Sequence, residues 1–164
     1  MNELLPRAER VGALLQARGH TVAVAESSTG GLVAAALLAV PGASAYMVGG
    51  AVIYTARSRE ALLGIDQAAM DGLRSASEPY ARLLARTARD RLATTWAIAE
   101  TGAAGPSGNR YGDAPGHTCL AVSGPVEHAV TLETGSPDRL RNMHVFAAAL
   151  LDMFAEILVG LAAG

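Results

Sequence analysis

The residues best equipped for chemistry stand at Glu26-Ser27-Ser28-Thr29-Gly30-Gly31, a polar, glycine-rich turn between a short apolar run and an Ala/Leu segment. At a strand-to-helix junction, such a turn offers free backbone N–H groups and the positive end of a helix dipole to an anion. Glycines there let the backbone approach a ligand closely. A hydroxyl in the turn has two readings. It is a nucleophile whose developing oxyanion is held by those N–H groups, or it simply caps the helix. Spacing alone favours capping. The turn is not a Walker A loop, which needs Gly-Lys after its glycines, nor the Gly-x-Ser-x-Gly elbow. A second set, Thr101-Gly102-Ala103-Ala104-Gly105-Pro106-Ser107-Gly108-Asn109, follows another apolar run and is too long and polar for a minimal turn. Two glycine-rich loops at strand ends of one small α/β domain point to a ligand site, because ligands bind where such loops gather.

The elements that position these loops follow from periodicity. Leu4, Ala8, Val11 and Leu14 or Leu15 recur at helical spacing, and Gly19 stops that helix. Thr21 to Ala25 reads as a buried strand, and Leu32 to Val40 as a helix ended by Pro41-Gly42. A strand is expected over Ala51 to Tyr54 and a helix from Arg57 to Leu63, closed by Gly64. Ser77-Glu78-Pro79 has the cap and first-turn proline of a helix start, and that helix carries Leu83, Leu84, Ala88 and Leu92. Trp96 to Ala99 is a strand, Gly102 to Gly116 a long loop, and His117–Ser123 with His128–Thr134 a hairpin. A last helix from Pro137 or Asp138 buries Met143, Ala147, Leu150, Phe154 and Leu158. Helices interleaved with buried strands give a three-layer α/β/α fold, and the hairpin makes its sheet mixed. Strand order is not readable.

Composition sets the outer bounds. The 164 residues fit one domain. A net charge of −2 and a pI near 6.1 argue against a nucleic-acid binder. The single cysteine, Cys119, leaves no internal disulfide or cysteine zinc site. His20, His128 and His144 read as surface or helix-face residues, and no metal set emerges. The N-terminus has no basic start or apolar stretch of a signal peptide, and Asp152 and Glu156 interrupt the apolar C-terminus. A cytoplasmic location away from membranes is expected. An alanine-rich, aromatic-poor surface suits packing against another copy, so a homo-oligomer is expected too. All thirteen basic residues are arginine, so no reaction here uses an internal lysine amine.

Glu26-Ser27-Ser28-Thr29-Gly30-Gly31, Pro41-Gly42-Ala43-Ser44, Val52-Ile53-Tyr54, Leu63-Gly64, Ser77-Glu78-Pro79 and Thr101-Gly102-Ala103-Ala104-Gly105-Pro106 resemble, in order and spacing, the CinA C-terminal domain. The resemblance covers about residues 5 to 160. Larger members of that family carry a further N-terminal domain, which residues 1–164 have no room for. The resemblance implies a nicotinamide-nucleotide amidohydrolase that converts nicotinamide mononucleotide to nicotinate mononucleotide and ammonia, with no metal or other cofactor. Its small-molecule partner is then a pyridine nucleotide. By position, Ser27 matches the family's nucleophile and Tyr54 the tyrosine of its Val-x-Tyr motif. Thr101 and Gly102 fall in the loop lining the site, while Glu26, Thr29, Gly30 and Gly31 are implied on the substrate side. Arg141 matches the second arginine of a Ser-Gly-Asp-Arg segment, a phosphate contact.

The departures concern catalysis. Five residues beyond the motif tyrosine the family has a lysine that acts as general base to the serine, and here that position is Arg59. Deprotonating arginine at pH 7 costs roughly 8 kcal/mol, whereas a positioned base returns roughly 3–5.5 kcal/mol. Arg59 is therefore no base, though its fork can hold a carboxylate or phosphate, or act in catalysis by stabilising a developing negative charge. Pro137 stands in place of the segment's first arginine. His117 replaces a glycine and is a candidate substitute base, against the plainer reading of a residue at a strand start. Glu26 is a second candidate. Three functions stay open: the family amidohydrolase, an amidohydrolase of altered substrate, and a catalytically reduced paralogue that binds a nucleotide-like or other small anionic ligand.

Overall fold

Three strands in the middle of the sheet alternate large and small side chains, and that alternation sets the layers. In a computed structural model describing residues 1–161, β1 (Val22–Glu26), β3 (Trp96–Ala103) and β4 (His117–Ser123) are almost wholly buried. Val22, Val24, Trp96, Ile98, Leu120 and Val122 face one way. Ala23, Ala25, Ala97, Ala99, Cys119 and Ala121 face the other, as the two-residue period of a strand requires. Against the bulky face pack α1 (Leu5–Gln16), α2 (Leu32–Leu38) and α5 (Arg139–Gly160). Against the alanine face, where a helix can approach closely, pack α3 (Ala56–Leu63) and α4 (Glu78–Leu92). The result is an α/β/α fold.

With β2 (Met47–Val52) and β5 (His128–Glu133), the sheet has the order β2-β1-β3-β4-β5. The β1–β2 and β1–β3 pairs are parallel. The β3–β4 and β4–β5 pairs are antiparallel, so the sheet is mixed and the hairpin lies at its edge. The α5 helix is long and apolar enough to cross a bilayer, yet its stripe Phe146, Ala147, Leu150, Leu151, Phe154 and Leu158 is core. Its Asp152 and Glu156 pair with Arg7 and Arg10 of α1 at 2.9 and 2.8 Å.

Two strands differ from the sequence reading. β2 spans Met47–Val52 rather than Ala51 to Tyr54. Gly49 and Gly50 hide it by pattern, yet a Cβ at Gly50 would sit 3.1 Å from Ala34 Cβ and 3.3 Å from Val24 Cβ. Close packing of α2 demands the small residue there. β3 runs on to Ala103, because Glu100, Thr101 and Gly102 keep pairing with Leu120, Cys119 and Thr118. At the start of α5, Asn142 is fully buried and Met143 only partly so. The Asn142 amide donates to the Ala104 and Ser136 carbonyls, both at 2.7 Å, which ties the helix to the Thr101–Asn109 loop.

Candidate functional site

The turn after β1 is organised by two buried carboxylates. Glu26 Oε2 and Oε1 accept the backbone N–H groups of Val33 and Ala34 at 3.1 and 3.0 Å. The N–H groups expected to await an anion at the start of α2 are therefore already engaged. None of Ser27, Ser28 and Thr29 caps the helix; its N-cap is Gly31, with φ +100°. Gly30 and Gly31, both at positive φ, make the reversal that swings the chain over Glu26, a backbone that L side chains resist.

Glu100 fills the other side of the turn. Its Oε2 accepts from Ser27 N at 3.1 Å, Thr29 N at 2.9 Å and Thr29 Oγ1 at 3.0 Å. Its Oε1 accepts from Thr118 Oγ1 at 3.0 Å and from Ser28 Oγ. Thr29 Oγ1 also lies 2.7 Å from Glu26 Oε2. One hydroxyl proton cannot serve both carboxylates, so the second contact needs a proton on a carboxyl. Burial raises the Glu26 carboxyl above its usual range against the opposing hydrogen bonds, and the Glu100 charge adds to the rise. The count closes with Glu26 protonated, donating to Thr29, which donates to Glu100.

In front of this knot opens a cavity of about 670 Å³. Ser27, Tyr54, Arg59, Thr101 and Gly102 all line it, with Tyr80, Asn109, Arg110 and Tyr111 completing its polar and aromatic wall. Arg59 reaches it from α3, which opens on a capping box between Thr55 and Ser58. The residue is only 7% exposed, and its Nε donates to the Ile65 carbonyl at 3.0 Å. The Tyr54 hydroxyl accepts from Arg139 Nη2 at 3.2 Å, while Arg139 Nη1 donates to the Gly105 carbonyl at 2.7 Å. Among the lining residues there is no carboxylate, imidazole, amine or thiol.

The other candidates lie outside the lining. Glu26 and Thr29 are buried behind it, Gly30 and Gly31 form the turn, and Arg141 is exposed on the first turn of α5. The backbone N–H of Arg141 is capped by Asp138 at 3.0 Å. His117 is buried between two acceptors. Nε2 donates to the Ala76 carbonyl at 2.9 Å, and Nδ1 donates to Glu133 Oε1. Burial alone would lower its pKa, but the Glu133 and Ala76 hydrogen bonds and the Asp113 charge raise it above the ordinary histidine value. An imidazole donating from both nitrogens has no lone pair for a serine proton. Its geometry makes it a clamp between β4, β5 and the segment before α4.

The sequence profile of the CinA C-terminal domain matches residues 5–158. The chain belongs to the CinA C-terminal domain family. It is 44% identical over 125 residues to a CinA-like protein of Gloeobacter violaceus, covering 76% of this chain and 29% of that protein. It is 42% identical over 142 residues to a CinA-like protein of Anaeromyxobacter sp. strain K, covering 85% and 35%. The chain thus spans about a third of the length of these curated relatives. Among solved structures, a competence-damaged protein (CinA) superfamily protein of Klebsiella pneumoniae aligns with TM-score 0.89 at 23% identity, over 96% of this chain and 98% of that one. The competence/damage inducible protein CihA of Agrobacterium tumefaciens aligns with TM-score 0.85 at 28% identity, over 92% and 93%.

Several residues of this CinA domain site escape a sequence reading. Glu100 carries one signal, a lone acid in the run Ala97-Ile98-Ala99-Glu100-Thr101-Gly102. A carboxylate at that depth must find donors. Tyr80 and Arg110 carry none, since their place at the cavity is fixed by the packing of α4 and the loop before β4, and Arg139 joins them only through the Tyr54 hydroxyl.

Proposed function

We propose that this CinA domain takes an anionic, nucleotide-sized small molecule into the cavity at Ser27, with a pyridine nucleotide as the family's ligand class. The supporting observation is the lining: two arginines and three tyrosines beside Ser27, Thr101 and Gly102, without a negative charge. Tyrosine faces suit a planar base, and guanidinium groups suit phosphate or carboxylate. A cavity of this volume falls in the range of small-molecule sites.

A second reading, amide hydrolysis by Ser27, is favoured by one feature: that hydroxyl-bearing residue shares the cavity with Thr101 and Gly102. Against it stands the lining, which holds no group that takes a proton at neutral pH. Arg59 occupies the base position and is bound by the protonation argument above. The reading that best fits the site is therefore binding with little or no turnover.

Both are tested with nicotinamide mononucleotide. Calorimetry measures binding, and release of ammonia and nicotinate mononucleotide measures hydrolysis, in wild type, Ser27→Ala and Arg59→Lys. Binding without turnover above the Ser27→Ala background is the expected result. Turnover in wild type that Ser27→Ala abolishes establishes the hydrolase instead. A gain of turnover in Arg59→Lys identifies the lost lysine as the reason for silence. Absence of binding by any pyridine nucleotide ends the first reading.

A further inference from the structure

Resting on the reading that this cavity is the functional site, we infer that Arg59 is a carboxylate receptor: the site selects a planar aromatic acid over the corresponding amide. Arg59 is more than nine-tenths buried, with 7% of its surface exposed. No carboxylate of the described residues lies within salt-bridge reach of it. Its Nε is spent on the Ile65 carbonyl, which leaves the two terminal nitrogens for the Tyr80 hydroxyl, whose burial-driven pKa rise the Arg59 charge and hydrogen bond oppose, and for the cavity that both residues line. A guanidinium this enclosed keeps only the water that the cavity admits and has no counter-charge from the protein, which is a cost. That cost is relieved when a ligand supplies the anion.

Charge and shape choose the anion. The deep end of the cavity holds one buried positive charge, which a monoanion neutralises and a dianion over-compensates. The guanidinium fork matches the two oxygens of a carboxylate in a bidentate pair. Arg110, by contrast, is exposed at the rim, where a more strongly hydrated phosphate keeps part of its water. Tyr54, Tyr80 and Tyr111 line the same cavity, and aromatic side chains offer ring faces and edges to a flat group, although Arg74 already stands over the Tyr111 ring at 5.5 Å. The ligand so described is a ring acid whose carboxylate meets Arg59 and whose second anionic group, when it has one, stays at Arg110.

The test uses pairs that differ only in the charged group. Benzoate and benzamide are titrated by NMR, and nicotinate and nicotinamide mononucleotides by calorimetry, into wild type, Arg59→Gln and Arg59→Lys at neutral pH and low salt. In wild type the acid binds at least about tenfold more tightly than the amide in each pair, the scale of a charge-assisted pair. Arg59→Gln removes the preference and Arg59→Lys, which keeps the charge, retains part of it. An Arg110→Gln variant weakens both mononucleotides without changing the acid-to-amide ratio. The inference is overturned if the amides bind as well as the acids, if benzoate fails to bind, or if the preference survives Arg59→Gln. If Arg59→Gln does not fold, the ratio in wild type and Arg59→Lys still decides. Binding of both mononucleotides without acid preference overturns this inference and leaves the proposed function standing. Benzoate selectivity with no mononucleotide binding has the opposite consequence.

Discussion

Replacing Glu100 by alanine removes the acceptor on which the Ser27–Thr29 turn is wound. The Thr118 hydroxyl has an alternative in the Thr101 carbonyl at 3.3 Å, and the Thr29 hydroxyl has one in Glu26 Oε2 at 2.7 Å once Glu26, relieved of the Glu100 charge, gives up its proton. The backbone N–H groups of Ser27 and Thr29 and the Ser28 hydroxyl donate to Glu100 alone. Each orphaned buried donor costs about 1–3 kcal/mol. Relief of a buried acid's desolvation and water entry beside Ser27 offset part of that sum. The expected loss is about 3–5 kcal/mol, which for a domain of this size lowers Tm by roughly 6–20 °C. Glu100→Gln keeps one oxygen for the two N–H groups and turns an amide toward Ser28 and Thr118, so its cost is about 1–2 kcal/mol. Urea unfolding followed by circular dichroism gives both values, provided the slope m matches wild type. The ordering Ala well below Gln, and Gln below wild type, is the signature of an acceptor knot. A Glu100→Ala midpoint within about 1 kcal/mol of wild type would falsify the account of this turn.

His117 has its pKa raised in the fold, so its contribution to stability is complete below the ordinary value of 6.5 and is lost as pH rises through the native pKa. Urea midpoints between pH 6 and 9 should fall for wild type and stay flat for His117→Gln; parallel profiles refute the clamp. Glu127, held at about 2 by the two hydrogen bonds from Arg86, adds stability above 4.5 that is lost as pH falls through about 2. The pair is partly exposed, so the effect is small, but NMR titration of Arg86→Ala should return Glu127 toward 4.5. In Gly102→Ala the new Cβ would meet the His117 carbonyl oxygen at 2.5 Å, prising β3 from β4 at the cavity. A loss of about 1–3 kcal/mol is expected in thermal unfolding. Arg139→Ala frees the Tyr54 hydroxyl and the Gly105 carbonyl at a stability cost of about 0.5–1.5 kcal/mol. Calorimetry should show weaker ligand binding than in wild type, and unchanged affinity would separate Arg139 from the site.

Local pattern determined most of this architecture. The alternation in Val22-Ala23-Val24-Ala25 and Trp96-Ala97-Ile98-Ala99 fixes two central strands whose faces differ in bulk, and the glycine, proline and hydroxyl punctuation places the helices between them. The motifs placed Ser27, Tyr54, Arg59, Thr101 and Gly102 on loops and elements that the fold gathers around one cavity. What pattern could not supply is the identity of each polar side chain's partner. Glu26 meets Val33 and Ala34 within its own turn, yet Glu100 reaches Ser28 across 72 positions and His117 reaches Ala76 across 41. Such contacts depend on strand order and on the separation of packed layers, which no window of sequence contains. The same holds for charge: thirteen arginines are plain in the sequence, but burial makes Arg59 different from the rest. Sequence determined where an arginine stands instead of lysine. Only the tertiary structure decided that it stands buried at the cavity with no carboxylate of the described residues beside it, because solvent exclusion and counter-charge are properties of assembled surfaces.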